Sequence, residues 1–205
     1  MKEPGLLLVI SGPSGSGKGT LCSELLQRRP EIVVSISATT REQRAGEIEG
    51  KNYYYISQEE FASRIREGLF LEYAKVFDQY YGTPRDKVLE HLQENKDVIL
   101  EIDIQGAMQV KQAYSQAVFI FIVPPSMQIL KERIMTRDRE SIEEIERRLR
   151  ESKKELSYID RYDYVIINDE IETAVDKLEA VIVAEKCRSK HISASDIEFS
   201  EEELR

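Results

Sequence analysis

The segment Gly12-Pro13-Ser14-Gly15-Ser16-Gly17-Lys18-Gly19-Thr20 constrains this chain more than any other. It follows the apolar run Leu6-Leu7-Leu8-Val9-Ile10 directly and leads into a helical pattern over 18–27. Strand, glycine-rich turn and helix in that order set unpaired helical amides around a concavity at the strand's end. Glycines let the backbone wrap closely around an anion, and Lys18 is placed to reach outer phosphates. This is the context of a phosphate-binding P-loop. One position is irregular: Gly19 stands where Ser or Thr usually offers a hydroxyl to Mg²⁺, and Thr20 comes one place late.

The remaining pattern extends that start into an α/β fold. Apolar runs at 97–102, 118–123 and 164–167 read as strands buried on both faces of a parallel sheet. A β-branched stretch over 32–37 reads as another. Helices are expected near 106–113, 126–135, 142–158 and 171–187, with Ser126 as an N-cap after Pro124-Pro125. Between 35 and 95 the rhythm breaks. Ser57-Gln58-Glu59-Glu60 forms a capping box opening a helix near 61–67, 69–77 and 80–83 read as extended, and Pro84 starts a further helix. Clustered strands of this kind read as an inserted α+β subdomain.

Composition narrows the partners. The net charge of −9 argues against general binding to nucleic acid or to an anionic membrane surface. Two cysteines, Cys22 and Cys187, make a disulfide framework and a structural zinc site unexpected, and Cys22 reads as a small buried apolar residue. With no leader pattern and no apolar run of membrane-spanning length, a reducing cytoplasm is the expected compartment. The segment 189–205 is polar and acidic and is expected to be a mobile tail or weak helix.

Basic residues nonetheless bunch locally. Arg41 and Arg44 flank a glycine-containing loop after the second strand, suited to bidentate grip of a phosphate. Lys131, Arg133, Arg137, Arg139, Arg147 and Arg148 form a second region, interleaved with Asp and Glu. Taken alone, Arg41 and Arg44 read as solvated surface charge, as most Arg pairs do, and the second region reads as an exposed charged helix. Phosphoryl transfer, however, needs two aligned anionic substrates and positive charge around the moving group, and both parts are visible here.

The blocks Ser11-Gly12-Pro13-Ser14-Gly15, Ser37-Ala38-Thr39-Thr40-Arg41, Arg44-Ala45-Gly46-Glu47, Tyr80-Tyr81-Gly82-Thr83, Ile102-Asp103-Ile104-Gln105-Gly106 and Val165-Ile166-Ile167-Asn168-Asp169 together resemble the guanylate kinases, in order and spacing, over 6–188. The resemblance implies a P-loop nucleoside monophosphate kinase fold. That fold has a parallel sheet flanked by helices (4–34 and 96–188), a GMP-binding α+β insertion (35–95) and a small lid (136–147). It implies transfer of the terminal phosphoryl group of ATP to GMP, with dGMP as a second acceptor and Mg²⁺ accompanying ATP.

It also implies roles for individual residues. Gly12, Pro13, Ser14, Gly15, Ser16, Gly17, Lys18, Gly19, Thr20 and Asn168 would bind ATP, with Asn168 at the adenine edge. Ser37, Arg41, Arg44, Tyr53, Glu72, Tyr81, Thr83 and Asp103 would bind GMP. Within that pocket Arg41, Arg44, Tyr53 and Tyr81 would hold the phosphate, and Glu72 with Asp103 would accept from guanine N1–H and the 2-amino group. Ser37 and Thr83 would face O6. Lys18, Arg41, Arg44, Arg137 and Arg148 would offset charge during transfer, and Thr20 would reach the metal, directly or through water. Glu101 departs from the family's usual Asp by one methylene, which is expected to move a water around the metal. The alternatives left open are a kinase of the same fold acting on another nucleotide or a phosphorylated sugar, and a non-catalytic module with the same architecture.

Overall fold

Strand β1 (Leu7–Ser11) is buried along its whole length, and its apolar run splits between two layers. Leu8 and Ile10 face helices α1 (Lys18–Arg28) and α7 (Ile171–Lys186), meeting Leu21, Leu25, Val175 and Leu178. Leu7 and Val9 face helices α3 (Arg85–Gln93) and α4 (Ile104–Ala113), meeting Val88, Ala107 and Val110. Period-two alternation with both faces apolar forces helices onto both sides of a sheet. Each such fully buried Leu, Ile or Val contributes about 1.5–3 kcal/mol.

The computed structural model describes residues 5–137 and 142–191. β1 lies at the centre of a five-stranded sheet with β2 (Val33–Val34), β7 (Val98–Glu101), β8 (Val118–Val123) and β9 (Tyr164–Ile167), in the order β2-β7-β1-β8-β9. All of its pairings are parallel. Loops carrying Gly12, Glu101, Asp103 and Asn168 therefore emerge at one carboxyl edge, where open α/β sheets take their ligands. The described residues contain no helix long and apolar enough to cross a membrane.

The strand expected over 32–37 is much shorter. Ser35 still donates to Ile99 O at 3.0 Å, but the chain then leaves this sheet and enters a second one. That four-stranded sheet has the order β4-β3-β6-β5, built from β3 (Ala38–Thr39), β4 (Tyr54–Tyr55), β5 (Phe70–Val76) and β6 (Gln79–Pro84). Its own small core comprises Ala38, Phe61 and Phe70, with Phe61 stacked on Phe70 at 4.4 Å between ring centroids. Helix α2 (Gln58–Arg66) is capped by Ser57, whose Oγ accepts from Glu60 N at 3.1 Å. Only half of the reciprocal box forms, because the Glu60 carboxylate turns to Arg64 at 2.8 Å. Pro84 is the N-cap of α3, and α3 packs on the main sheet through Val88.

Helices α5 (Met127–Arg137) and α6 (Ile142–Leu156) complete the chain's layers, and α5 starts under the Ser126 cap, whose Oγ accepts from Ile129 N at 3.1 Å. The expected lid overlaps these helices and the segment 138–141, which lies outside the described residues. Of the expected tail, Ser189–His191 form a single 3₁₀ turn, and 192–205 lie outside the described residues.

Candidate active site

The P-loop is a backbone structure fixed by close contacts. Gly12 has φ 148°, and a Cβ there would lie 2.1 Å from Ile122 O, so the loop can cross β8 only as glycine. Gly17, at φ 91°, is the left-handed N-cap of α1, and a Cβ there would meet Asn168 Nδ2 at 2.3 Å. Ser16 N closes the turn on Pro13 O at 3.1 Å. The first amides of α1 then face the loop's concavity without helical acceptors, and the helix dipole adds positive potential. Lys18 Nζ donates to the Gly12 and Pro13 carbonyls. Burial pulls the Lys18 pKa down, and the Glu101 carboxylate opposes that pull.

Side chains from three other elements brace this loop. Asn168, 3% exposed, donates from Nδ2 to Ser16 O at 2.8 Å. Arg133 of α5 donates to Asn168 O at 3.1 Å. Arg148 of α6 donates to Ser14 Oγ at 2.7 Å. The Glu155 carboxyl lies near Lys18 and the Ser14 amide, and burial pushes its pKa up against both. Asn168 thus supports the loop from beneath. Arg137 closes α5, and its side chain is outside the described set.

The insertion places the remaining expected residues around two charge arrangements of opposite sign. In the first, Glu47 organises the basic end. Its Oε1 accepts from Arg41 Nη2 at 2.8 Å, and its Oε2 accepts from Arg44 N at 2.8 Å and Tyr55 OH at 2.7 Å. These donors hold the Glu47 carboxyl well below its ordinary range, at about 2. The Arg41 guanidinium lies 5.4 Å from the Tyr53 ring centroid, and the Tyr53 ring meets Tyr81 edge-on at 5.8 Å. Arg44 is exposed. Glu47 and Tyr55 were not among the expected site residues, although Glu47 closes the Arg44-Ala45-Gly46-Glu47 block that carries the resemblance.

In the second arrangement two carboxylates converge. β5 and β6 pair Glu72 with Thr83, and Thr83 Oγ1 donates to Glu72 Oε1 at 2.6 Å. Glu72 is 9% exposed, and its pKa is raised by burial first, with the Asp103 charge adding to the shift. Asp103 caps α4 by accepting from Gly106 N at 2.8 Å, which starts this helix at Ile104, ahead of the expected Gly106. A Cβ on Gly106 would lie 3.3 Å from Glu72 Oε2 and 3.5 Å from Asp103 Oδ1. Gly106 therefore makes the room in which both carboxylates sit. Donation from Thr83 to a guanine O6 would require its hydroxyl to leave Glu72. Ser37 immediately precedes β3, and its carbonyl accepts from Tyr54 N at 2.9 Å.

Gln109 of α4 is a further residue that sequence reasoning missed. Its side-chain amide accepts from Tyr73 N and donates to Tyr73 O, both at 3.1 Å, and so ties β5 and its neighbour Glu72 to the core. A cleft of about 640 Å³ opens beside Asp103, between α4 and the end of α6, with Gln105, Glu151, Lys154 and Glu155 on its walls.

The carboxyl end of β7 links the two pockets. Glu101 lies against the first turn of α1, and Asp103 lies beside Glu72. Among the described residues no group of three or more His, Cys, Asp or Glu forms a metal cage. A hard divalent ion held by nucleotide phosphates, waters and one carboxylate needs no such cage. Glu101 lies beside Gly19 at the start of α1, and Thr20 is exposed one residue further along that helix.

Fold and site together define a P-loop nucleotide-binding protein with a second pocket that pairs basic and carboxylate ends. The family model for guanylate kinase matches residues 5–185. The chain is 55% identical over 188 residues to a guanylate kinase of Caldanaerobacter subterraneus subsp. tengcongensis, covering 92% of this chain and 91% of that one. It is 54% identical over 193 residues to one from Clostridium tetani, covering 94% and 92%. A crystal structure of guanylate kinase from Anaplasma phagocytophilum superimposes with a TM-score of 0.71 at 33% identity, covering 97% of this chain and 99% of that one. The chain belongs to the guanylate kinase family.

Proposed function

We propose that this protein transfers the terminal phosphoryl group of ATP to GMP, giving ADP and GDP, and accepts dGMP as a second substrate. The observation that carries the proposal is the end of β7, where Glu101 faces the P-loop helix and Asp103 joins Glu72 in the second pocket. One strand end thereby serves a phosphate cradle and a carboxylate pair, as direct transfer between two nucleotides requires.

The P-loop amides and Lys18 hold the ATP phosphates. Arg41, Arg44, Tyr53 and Tyr81 hold the GMP phosphate, and Glu47 sets the orientation of Arg41 before substrate arrives. Glu72 in its ionised form, aided by Asp103, accepts from guanine N1–H and the 2-amino group. Adenine offers neither donor at these positions and would leave a buried carboxylate unpaired, a mismatch that discriminates by about 10⁴–10⁵. Arg137 and Arg148 offset charge on the phosphoryl group in flight, which passes directly between oxygens without a protein-bound intermediate.

The residues present fit Mg²⁺. Glu101 supplies a carboxylate beside the open Cα of Gly19, and Thr20 supplies a hydroxyl for a water-mediated contact. Bound with ATP, the ion would neutralise charge across the β- and γ-phosphates. The cytoplasm is the proposed compartment, supported by the free thiols Cys22 and Cys187.

The test is an ADP-release assay with ATP and each of GMP, dGMP, AMP, UMP and CMP. ADP formation is expected to depend on GMP or dGMP. Absence of GMP-stimulated ADP formation by the purified protein overturns the proposal.

A further inference from the structure

Gly19 and Glu101, the two irregular positions noted in the sequence, are neighbours in space. Glu101 ends β7, in register with Ile10 of β1, and Gly19 lies in the first turn of α1. A Cβ built on Gly19 would lie 3.3 Å from Glu101 Oε1, 3.8 Å from Oε2 and 4.0 Å from Cδ. Those are its three nearest atoms, and all belong to one carboxyl group. A serine at 19 would press its Cβ on Oε1 more tightly than ordinary van der Waals contact. Rotamers that turn its hydroxyl toward β7 would meet the carboxylate itself.

We propose that Gly19 and Glu101 act as one unit, in which the side chain missing at 19 makes room for the longer carboxylate of Glu101, and that carboxylate supplies to the divalent ion of the bound nucleotide the oxygen that a hydroxyl at 19 supplies in other P-loops. The proposal rests on the reading of this loop as the ATP site. Three observations support it. Of the charged groups acting on Lys18, whose ammonium donates to the Gly12 and Pro13 carbonyls, the Glu101 carboxylate raises its pKa most. An aspartate at 101 would draw the carboxylate back by one methylene and leave the space beside Gly19 unfilled. Thr20 does not replace that hydroxyl as a direct donor, since one helical step turns its side chain about 100° around the axis of α1 and leaves it only a water-mediated contact. Glu101 is thus a ligand residue for the ion, with Gly19 as the position that makes room for it.

A consequence separates this role from a purely structural one. An anionic side chain at the mouth of the loop repels nucleotide phosphates when no cation lies between them, and attracts the complex when one does. Glu101 should therefore weaken ADP binding without metal and strengthen it with metal.

The experiment is calorimetric titration of ADP, with Mg²⁺ and with EDTA, into the wild type, Glu101→Gln, Glu101→Asp, Gly19→Ser and the Gly19→Ser/Glu101→Asp double variant. In Glu101→Gln, ADP should bind more tightly than to wild type in EDTA and less tightly in Mg²⁺, cutting the metal enhancement about tenfold. Each other single variant should lose enhancement by a similar factor, and the double variant should recover to within about threefold of wild type, because contacting residues couple. Equal weakening of ADP in both media by Glu101→Gln, or a double-variant loss equal to the product of the single losses, overturns the proposal. Glu101→Gln keeps the shape of the native side chain and carries the test if a Gly19 substitution fails to fold. ADP binding is read without acceptor, so an absence of GMP-dependent turnover would overturn the proposed reaction and leave this readout to stand or fall separately.

Discussion

The P-loop and the insertion are both anion-handling regions, but they are made of different material. In the P-loop the proposed binding groups are backbone amides, and the loop's shape is set by contacts that allow no side chain, such as Gly12 against Ile122 O and Gly17 against Asn168. It sits on a core whose central strands β1 and β8 are buried on both faces, while the edge strand β9 exposes Val165 and Ile167. In the insertion the binding groups are side chains on a small sheet whose own core is built around Ala38, Phe61 and Phe70. Charges are set in pairs there, the oppositely charged Arg41 and Glu47 in an ion pair and the like-charged Glu72 and Asp103 side by side. A phosphate needs only amides and a cation, which every chain can supply from its backbone and one lysine. A base must be told from other bases, and that requires particular side chains in a desolvated pocket.

The largest effect should come from the backbone-built side. Lys18→Ala is expected to cut GMP-dependent ADP formation by at least about 10²-fold while GMP affinity, read by calorimetry, stays at its wild-type value. A parallel loss of GMP binding would show that the two regions are not independent.

Next in size, Gly106→Ala places a methyl group 3.3 Å from Glu72 Oε2 and 3.5 Å from Asp103 Oδ1. The neighbouring carboxylates must give way, and KM for GMP should rise about tenfold with KM for ATP unchanged, as misplacing a positioned group does. Equal shifts in both KM values would place Gly106 outside the acceptor pocket.

These two regions were unequally legible in the sequence. The P-loop is contiguous, and its neighbours Leu6–Ile10 and the α1 pattern announce it locally. Glu72, Thr83, Asp103 and Gly106 come together only through the β5–β6 pairing and the α4 cap, so resemblance supplied the first three and nothing in the spacing supplied Gly106. Glu47 stood in a motif of the resemblance, but its role did not show, because the contacts that join it to Arg41, Arg44 and Tyr55 form only in the fold. The strand expected over 32–37 was too long because the chain leaves the first sheet after Ser35, with only Val33–Val34 of this stretch as strand there, and joins the second sheet at Ala38, beyond the β-branched run. The start of α4 was misplaced since Asp103 was read as a ligand for guanine and not also as an N-cap.

A smaller prediction concerns acid. The Glu47 carboxyl is depressed from 4.5 to about 2, so its bonds to Arg41, Arg44 and Tyr55 contribute stability that is present above pH 4.5 and lost as pH falls through about 2. Melting temperatures between pH 2 and 6 should show the wild type losing ground to Glu47→Gln across that window. A constant difference between the two proteins would mean that Glu47 is not held by these donors.

The smallest effect has the opposite sign. Glu72 has its pKa raised above 4.5 by burial, so its contribution to stability is fully present below that value and is lost as pH rises through its folded pKa. Glu72→Gln should therefore melt higher than wild type at pH 7, by an amount on the order of a few degrees, with the gain vanishing near pH 4. A lower melting point at pH 7 would show that the ionised carboxylate is satisfied within the fold and is not held ready for a base.

The most direct test of the central claim is the ratio of kcat/KM for GMP to that for AMP, measured in wild type and in Glu72→Gln. Recognition of guanine by the Glu72 carboxylate predicts a wild-type ratio of at least about 10⁴ and a fall of about 10²-fold or more in the variant, carried by loss of GMP activity. A ratio that survives the substitution unchanged would contradict it.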